Sequence, residues 1–159
     1  MQDIIIRSVE KRDLTLLDEA LRALSKELND PYPSSIEFLE QAGFGQTPTY
    51  YALIALDTEG SLCGTVVFSP VMSVTLASSG LYVSDLWVAN KARGCGVGRR
   101  LLAEAANVAY AKWGGNYIKL AVYDESTNSR RFYERLGLTE RGGETIMFLD
   151  PSRVGALRG

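Results

Sequence analysis

Histidine is absent from the 159 residues, and cysteine occurs only at Cys63 and Cys95. Without an imidazole there is no Ser-His-Asp triad and no histidine-bound zinc hydrolase. Two isolated thiols do not make a metal cage, so no metal is expected. Apolar runs are short: nowhere do roughly eighteen apolar residues follow one another. The opening Met1-Gln2-Asp3 starts no charged-then-apolar leader. A cytoplasmic location with no membrane partner is the resulting expectation. Neither sign of charge dominates. The 17 Lys and Arg stand against 19 Asp and Glu, net −2, which argues against a broad nucleic-acid surface.

The remaining composition, 46% hydrophobic and 23% charged, is that of an ordinary globular chain. Its length suits one domain around one core. Residues 4–7 form a short strand-like run. Asp13 then stands as N-cap before Leu14, Leu16, Leu17, Ala20, Leu21, Leu24 and Leu28, which recur at helical spacing. Pro31 and Pro33 end that helix. Ser34 and Glu37 have capping-box spacing for a second one, running to about Ala42 and stopped by Gly43. Residues 50–56 and 62–68 flank the turn Asp57-Thr58-Glu59-Gly60 and read as a hairpin. Residues 70–79 resist assignment, and 81–88 read as a further strand of an antiparallel meander. Val97, Leu101, Leu102, Ala105, Val108, Ala109 and Trp113 mark a long helix closed by Gly114-Gly115. Residues 117–123 predict a strand. Ser126 or Asn128 caps a last helix ending at Gly137, residues 145–149 complete the sheet, and 151–159 read as a loose, flexible tail. Cys63 falls in an apolar strand and reads as core.

The most informative stretch is Arg93-Gly94-Cys95-Gly96-Val97-Gly98, between the strand at 81–88 and the long helix. The first turn of a helix leaves N–H groups unpaired at the positive end of its dipole. Glycines let an anion approach that backbone, and Arg93, Arg99 and Arg100 add charge, so the stretch predicts a phosphate or pyrophosphate site. It is not a dinucleotide fingerprint, because Arg99 stands where the last glycine belongs. It is not a P-loop, because no Gly-Lys-Ser/Thr follows.

What it resembles is the Arg/Gln-x-x-Gly-x-Gly/Ala signature of the GNAT acyltransferases. Phe132-Tyr133-Glu134-Arg135-Leu136-Gly137-Leu138 is similar to a second signature of that family. The order of elements over roughly residues 4–149 also follows it. The resemblance implies an α/β fold with a central mixed sheet flanked by about four helices. It implies a single domain at 1–150 and the activity of an acetyl-CoA-dependent N-acetyltransferase.

By that resemblance the main chain of Leu86, Trp87 and Val88 holds the pantetheine arm of acetyl-CoA. Gly94, Cys95, Gly96, Val97, Gly98 and Arg99, with Arg93, hold the pyrophosphate. Tyr133 stands near the thioester sulfur as general acid, and the N–H of Val88 serves a developing oxyanion. The family's glutamate on the preceding strand is replaced by Ser84. Asp85 next to it faces the site only if a bulge, which the resemblance predicts, turns it there. It is then either the general base or a carboxylate held by backbone donors. Ser126 stands where the family often has a cofactor-contacting Asn. It and Asn128 either touch the cofactor or cap the helix. Residues 29–46 and 141–144 wall the acceptor pocket. Asp30, Glu37, Glu40, Tyr32, Phe38, Phe44, Tyr50 and Tyr51 there suit a cationic amine of a small molecule or peptide, but also an ordinary solvated helix and core. A homodimer is common in the family. The alternative from a different class is a non-catalytic acyl-CoA-binding module that keeps the glycine loop and has lost the acceptor chemistry.

Overall fold

A computed structural model describes residues 3–159, so Met1 and Gln2, read above as starting no leader, lie outside the described residues. The elements in chain order are β1 (Ile5–Ser8), α1 (Leu14–Leu28), α2 (Ile36–Phe44), β2 (Tyr51–Leu56), β3 (Leu62–Ser73), β4 (Ser78–Val88), α3 (Val97–Trp113), β5 (Ile118–Leu120), α4 (Thr127–Arg135) and α5 (Pro151–Arg158). The strands form one sheet in the order β1-β2-β3-β4-β5. Every pairing is antiparallel except β4 with β5, which α3 connects as a crossover. Chain contacts divide the molecule into one unit ending at Ala121 and a second, Val122–Gly159.

Within the first unit the sheet is covered on both faces. Leu14, Leu17, Ala20 and Leu21 of α1 and Leu39 of α2 cluster with Ala52, Ile54, Leu62 and Val67. Next along β3, Phe68 turns the other way and meets Trp113 of α3 with ring centroids 6.3 Å apart. A strand places successive side chains on opposite faces, so α1 and α3 lie on opposite sides of the sheet. Leu101 of α3 packs so close to Gly64 that a Cβ there would sit 3.1 Å from Leu101 Cδ1 and 2.8 Å from the Trp87 carbonyl. Cys63 is buried in β3, as its apolar setting predicts.

Several local expectations shift. The Asp13 carboxylate caps no α1 N–H. It accepts from Arg7 Nη1 and Nη2 at 2.6 and 2.8 Å and from Glu10 N–H at 2.8 Å. The α2 N-cap is Ser35 rather than Ser34, its Oγ accepting from the Phe38 N–H at 3.1 Å. That helix runs past Gly43, which is glycine for another reason: a Cβ there would lie 2.5 Å from the Tyr50 ring. The unassigned 70–79 stretch is strand on either side of a tight turn, β3 continuing to Ser73 and β4 starting at Ser78. The strand expected over 117–123 shortens to three residues.

One correction falls in the second unit: residues 145–149 form no strand. Within 151–159, Pro151 starts α5 at a position where its missing N–H costs nothing. Among the described residues no helix is long and apolar enough to cross a membrane.

Candidate active site

The site is built on one irregularity in β4. Val67 of β3 pairs with Asp85, but the next residue, Phe68, pairs with Val83, so Ser84 is left over as a bulge. Its hydroxyl donates to the Val67 carbonyl at 3.3 Å. Regular alternation from Val83 would place Asp85 on the α3 face. The extra residue instead sets it across from Val67, on the α1 face with Trp87. Burial pushes the Asp85 carboxyl above the usual carboxylate range, and the Ser84 hydroxyl offsets part of that rise.

The bulge also marks where β4 and β5 part. Their parallel ladder covers Leu81, Tyr82 and Val83 opposite Ile118, Lys119 and Leu120, and stops there. From Ser84 to Val88 the outer edge of β4 has no strand partner among the described residues. The Ala89 N–H donates inward to the Cys63 carbonyl at 2.9 Å. Strand alternation therefore turns the main-chain groups of Leu86 and Val88 outward and those of Trp87 inward to β3. Of the three residues expected to present main chain to the pantetheine arm, Leu86 and Val88 turn main-chain groups away from β3 and Trp87 does not. Trp87 packs its ring against the α1 cluster and donates Nε1–H to Glu27 Oε1 at 3.1 Å.

Beyond Val88 a single 3₁₀ turn, Asn90–Ala92, leads into the glycine stretch. Gly94 and Gly96 have φ of 78° and 77°, in the left-handed region, and a Cβ on either would meet nothing within 4 Å. These two are glycine because of backbone conformation rather than crowding. Gly96 is the N-cap of α3 and supplies no side-chain acceptor, so the first N–H groups, beginning at Val97 and Gly98, are uncapped by side chains. Arg99 and Cys95 are exposed beside them.

Arg93 behaves differently from the sequence expectation. Its Nη2 donates to both Glu27 oxygens, at 2.9 and 2.7 Å, and its Nε donates to the Val88 carbonyl at 2.9 Å. The guanidinium thus ties the end of β4 to α1 instead of standing free beside the loop. Arg100 is engaged too, donating to the Ile4 carbonyl at 2.7 Å. Glu27 was not legible as part of the site. It is one of several acids on α1, and nothing local marks the partner it meets 66 residues later.

In the second unit, Tyr133 lies on α4 with its ring edge-on to Phe132 at 5.1 Å. Burial pushes its hydroxyl up to about 12. Ser126 is the α4 N-cap, yet its side chain makes no capping hydrogen bond, and Asn128 lies inside the helix. Arg130 pairs with Glu140 at 3.1 Å and with Asp124 at 3.5 Å.

Most of the polar and aromatic residues expected around the acceptor have structural partners. Tyr32 donates to Asp18 at 2.9 Å under the Arg22 guanidinium, and burial above all pushes its hydroxyl up to about 12. Tyr50 donates to the Leu39 carbonyl at 2.8 Å, and Glu40 pairs with Lys11. Tyr51 stacks on Trp113 at 5.3 Å, on the α3 face. A hollow of about 230 Å³ beside it carries Lys112, whose Nζ lies 5.2 Å from the Tyr51 ring centroid. With that cation it does not suit an ammonium group.

The acetyltransferase (GNAT) family matches residues 16–138. A thialysine N-epsilon-acetyltransferase of Bos taurus is 30% identical over 154 residues, 90% of either chain. In fold, the chain resembles an integron cassette protein of V. cholerae, with TM-score 0.77 and 17% identity over 99% of both chains. It also resembles an aminoglycoside acetyltransferase from an uncultured soil sample, with TM-score 0.75 and 17% identity over 93% of this chain and 99% of that one. A family match over most of its length, joined to the strand opening and glycine turn described above, means that the chain belongs to the acetyltransferase (GNAT) family and is an N-acetyltransferase.

Proposed function

We propose that this enzyme transfers an acetyl group from acetyl-CoA to the primary amine of a small molecule, by direct attack while both are bound. The observation that carries the reading is the unpaired edge of β4 running into two left-handed glycines and an uncapped helix start. The outward main chain of Leu86 fits the amides of a pantetheine arm, imitating an added strand. The N–H groups after Gly96, with Arg99, fit a pyrophosphate. Arg93 acts by holding this edge in place. Cys95 contributes main chain.

When bound, acetyl-CoA supplies a thioester carbonyl open to attack by an amine. The chain's residues supply the proton management. Asp85, half-buried and with a raised pKa, is a stronger base than an exposed carboxylate and takes the proton that the acceptor amine must lose. The outward N–H of Val88 stabilises negative charge on the carbonyl oxygen. Tyr133 keeps its phenolic proton at neutral pH, because burial raises its pKa, and holds it for a leaving thiolate. The Bos taurus relative is named as a thialysine N-epsilon-acetyltransferase, which supports an acceptor amine of the same class here.

Calorimetric titration with acetyl-CoA and CoA, followed by thiol release with thialysine, polyamines and aminoglycosides, tests the proposal. Saturable binding with amine-dependent release is expected, and absence of binding would refute it. Tyr133→Phe should lower kcat by roughly 10²-fold with acetyl-CoA affinity unchanged. Unchanged turnover would remove Tyr133 from the reaction.

A further inference from the structure

We infer that the hollow beside Tyr51 is a binding site for a small aromatic monocarboxylate. It opens where the sheet is stepped. β1 ends at Ser8, which pairs with Leu53, so no residue of β1 pairs with Tyr51 at the start of β2. The step leaves about 230 Å³, lined from β1, α2, β2, β3 and α3 and by no residue of β4 or of the glycine turn. The site is therefore built separately from the edge assigned to acetyl-CoA, and it is independent of the acyl-transfer proposal.

Its walls are held in place. The Tyr51 ring lies 6.1 Å from Phe68 and 5.3 Å from Trp113 between centroids. The Tyr50 hydroxyl donates to the Leu39 carbonyl at 2.8 Å, and its ring fills the space that a Cβ on Gly43 would need. A cavity already formed costs little ordering when a ligand enters. Phe44 and Val108 add apolar wall, and the exposed Ser8 and Lys112 stand at the rim. No acid lines the hollow. Lys112 Nζ sits 5.2 Å from the Tyr51 ring centroid, and among the described residues it pairs with no carboxylate and the Ser8 hydroxyl bonds no side chain. Mostly apolar walls do not suit a phosphate, which needs several polar partners, and the lone cation repels an ammonium. A flat apolar body with one negative charge answers both: its ring lies among the aromatic walls and its carboxylate meets the rim. An apolar cavity of about 150 Å³ holds benzene, so this one takes about nine non-hydrogen atoms, the number in benzoate.

Calorimetric titration of the full chain with benzoate, benzamide and benzylamine tests the inference. Benzoate should bind saturably at one site, benzamide more weakly, and benzylamine not at all. Lys112→Met keeps the apolar stem and removes the charge, so benzoate affinity should fall about tenfold, to the level of benzamide. Val108→Trp fills the hollow and should abolish benzoate binding while circular dichroism and the thermal melt stay unchanged. If that variant misfolds, Lys112→Met decides alone. Benzoate should still bind in saturating acetyl-CoA. Absence of saturable benzoate binding overturns the inference, as does equal binding of benzylamine. So does full benzoate affinity in Lys112→Met or in a folded Val108→Trp, or displacement of benzoate by acetyl-CoA.

Discussion

Asp85→Asn isolates the base. Asparagine fills the same space beside Ser84 but takes no proton at working pH. Loss of a positioned general base costs about 10² to 10⁴ in kcat/KM, or about 3–5 kcal/mol of barrier at 1.36 kcal/mol per decade. The wild-type rate should rise with pH as Asp85 ionises, at a pH above the usual carboxylate range, and the variant should lack that limb. Stability should move the other way. A carboxyl whose folded pKa is raised by burial destabilises the fold where it is charged. The variant should therefore melt higher at neutral pH. The gap should shrink as pH falls through the raised pKa and vanish below the ordinary carboxylate value. Thiol release measured across pH, with thermal melts in the same buffers, reads both effects. Wild-type kcat/KM and an unaltered pH profile in Asp85→Asn would refute the assignment of Asp85 as base.

Glu27→Gln breaks a pair whose partners are 48 and 42% exposed, so urea unfolding should show a loss of no more than about 1 kcal/mol. Acetyl-CoA affinity should fall as well, because Arg93 loses its anchor at the end of β4, and calorimetry measures that. Asp13→Asn should cost about 2–3 kcal/mol at neutral pH, since it weakens a buried carboxylate's hydrogen bonds to Arg7 and to the Glu10 N–H. Arg7 holds that carboxyl below the usual range, so its contribution is complete above the ordinary carboxylate value. It disappears as pH falls through the lowered pKa, and acid titration of both proteins should show the difference close. Gly96→Ala meets open space but a φ of 77°, so unfolding should register the backbone cost alone, about 1–2 kcal/mol, together with weaker acetyl-CoA binding by calorimetry.

The Leu14-to-Leu28 helix and the α3 apolar stripe were legible because their signals are local: one buried face recurs every three to four residues. The glycine turn was legible for a similar reason, since φ values near +77° at Gly94 and Gly96 are a demand that a single residue type meets. Those features determined, from sequence alone, a helix start shaped for an anion after a strand, and with the second signature around Tyr133 they named the family. Tertiary structure decided what depends on partners far along the chain. Whether Asp85 faces α1 rests on the register of β4 against β3, where slipping one residue reverses every side chain. Whether Arg93 is free or clamped rests on Glu27, 66 residues away, whose helix must first pack on the sheet. Residues 145–149 have the pattern of a strand, but a strand exists only when an edge receives it. Propensity is a property of the segment and pairing is a property of its neighbours.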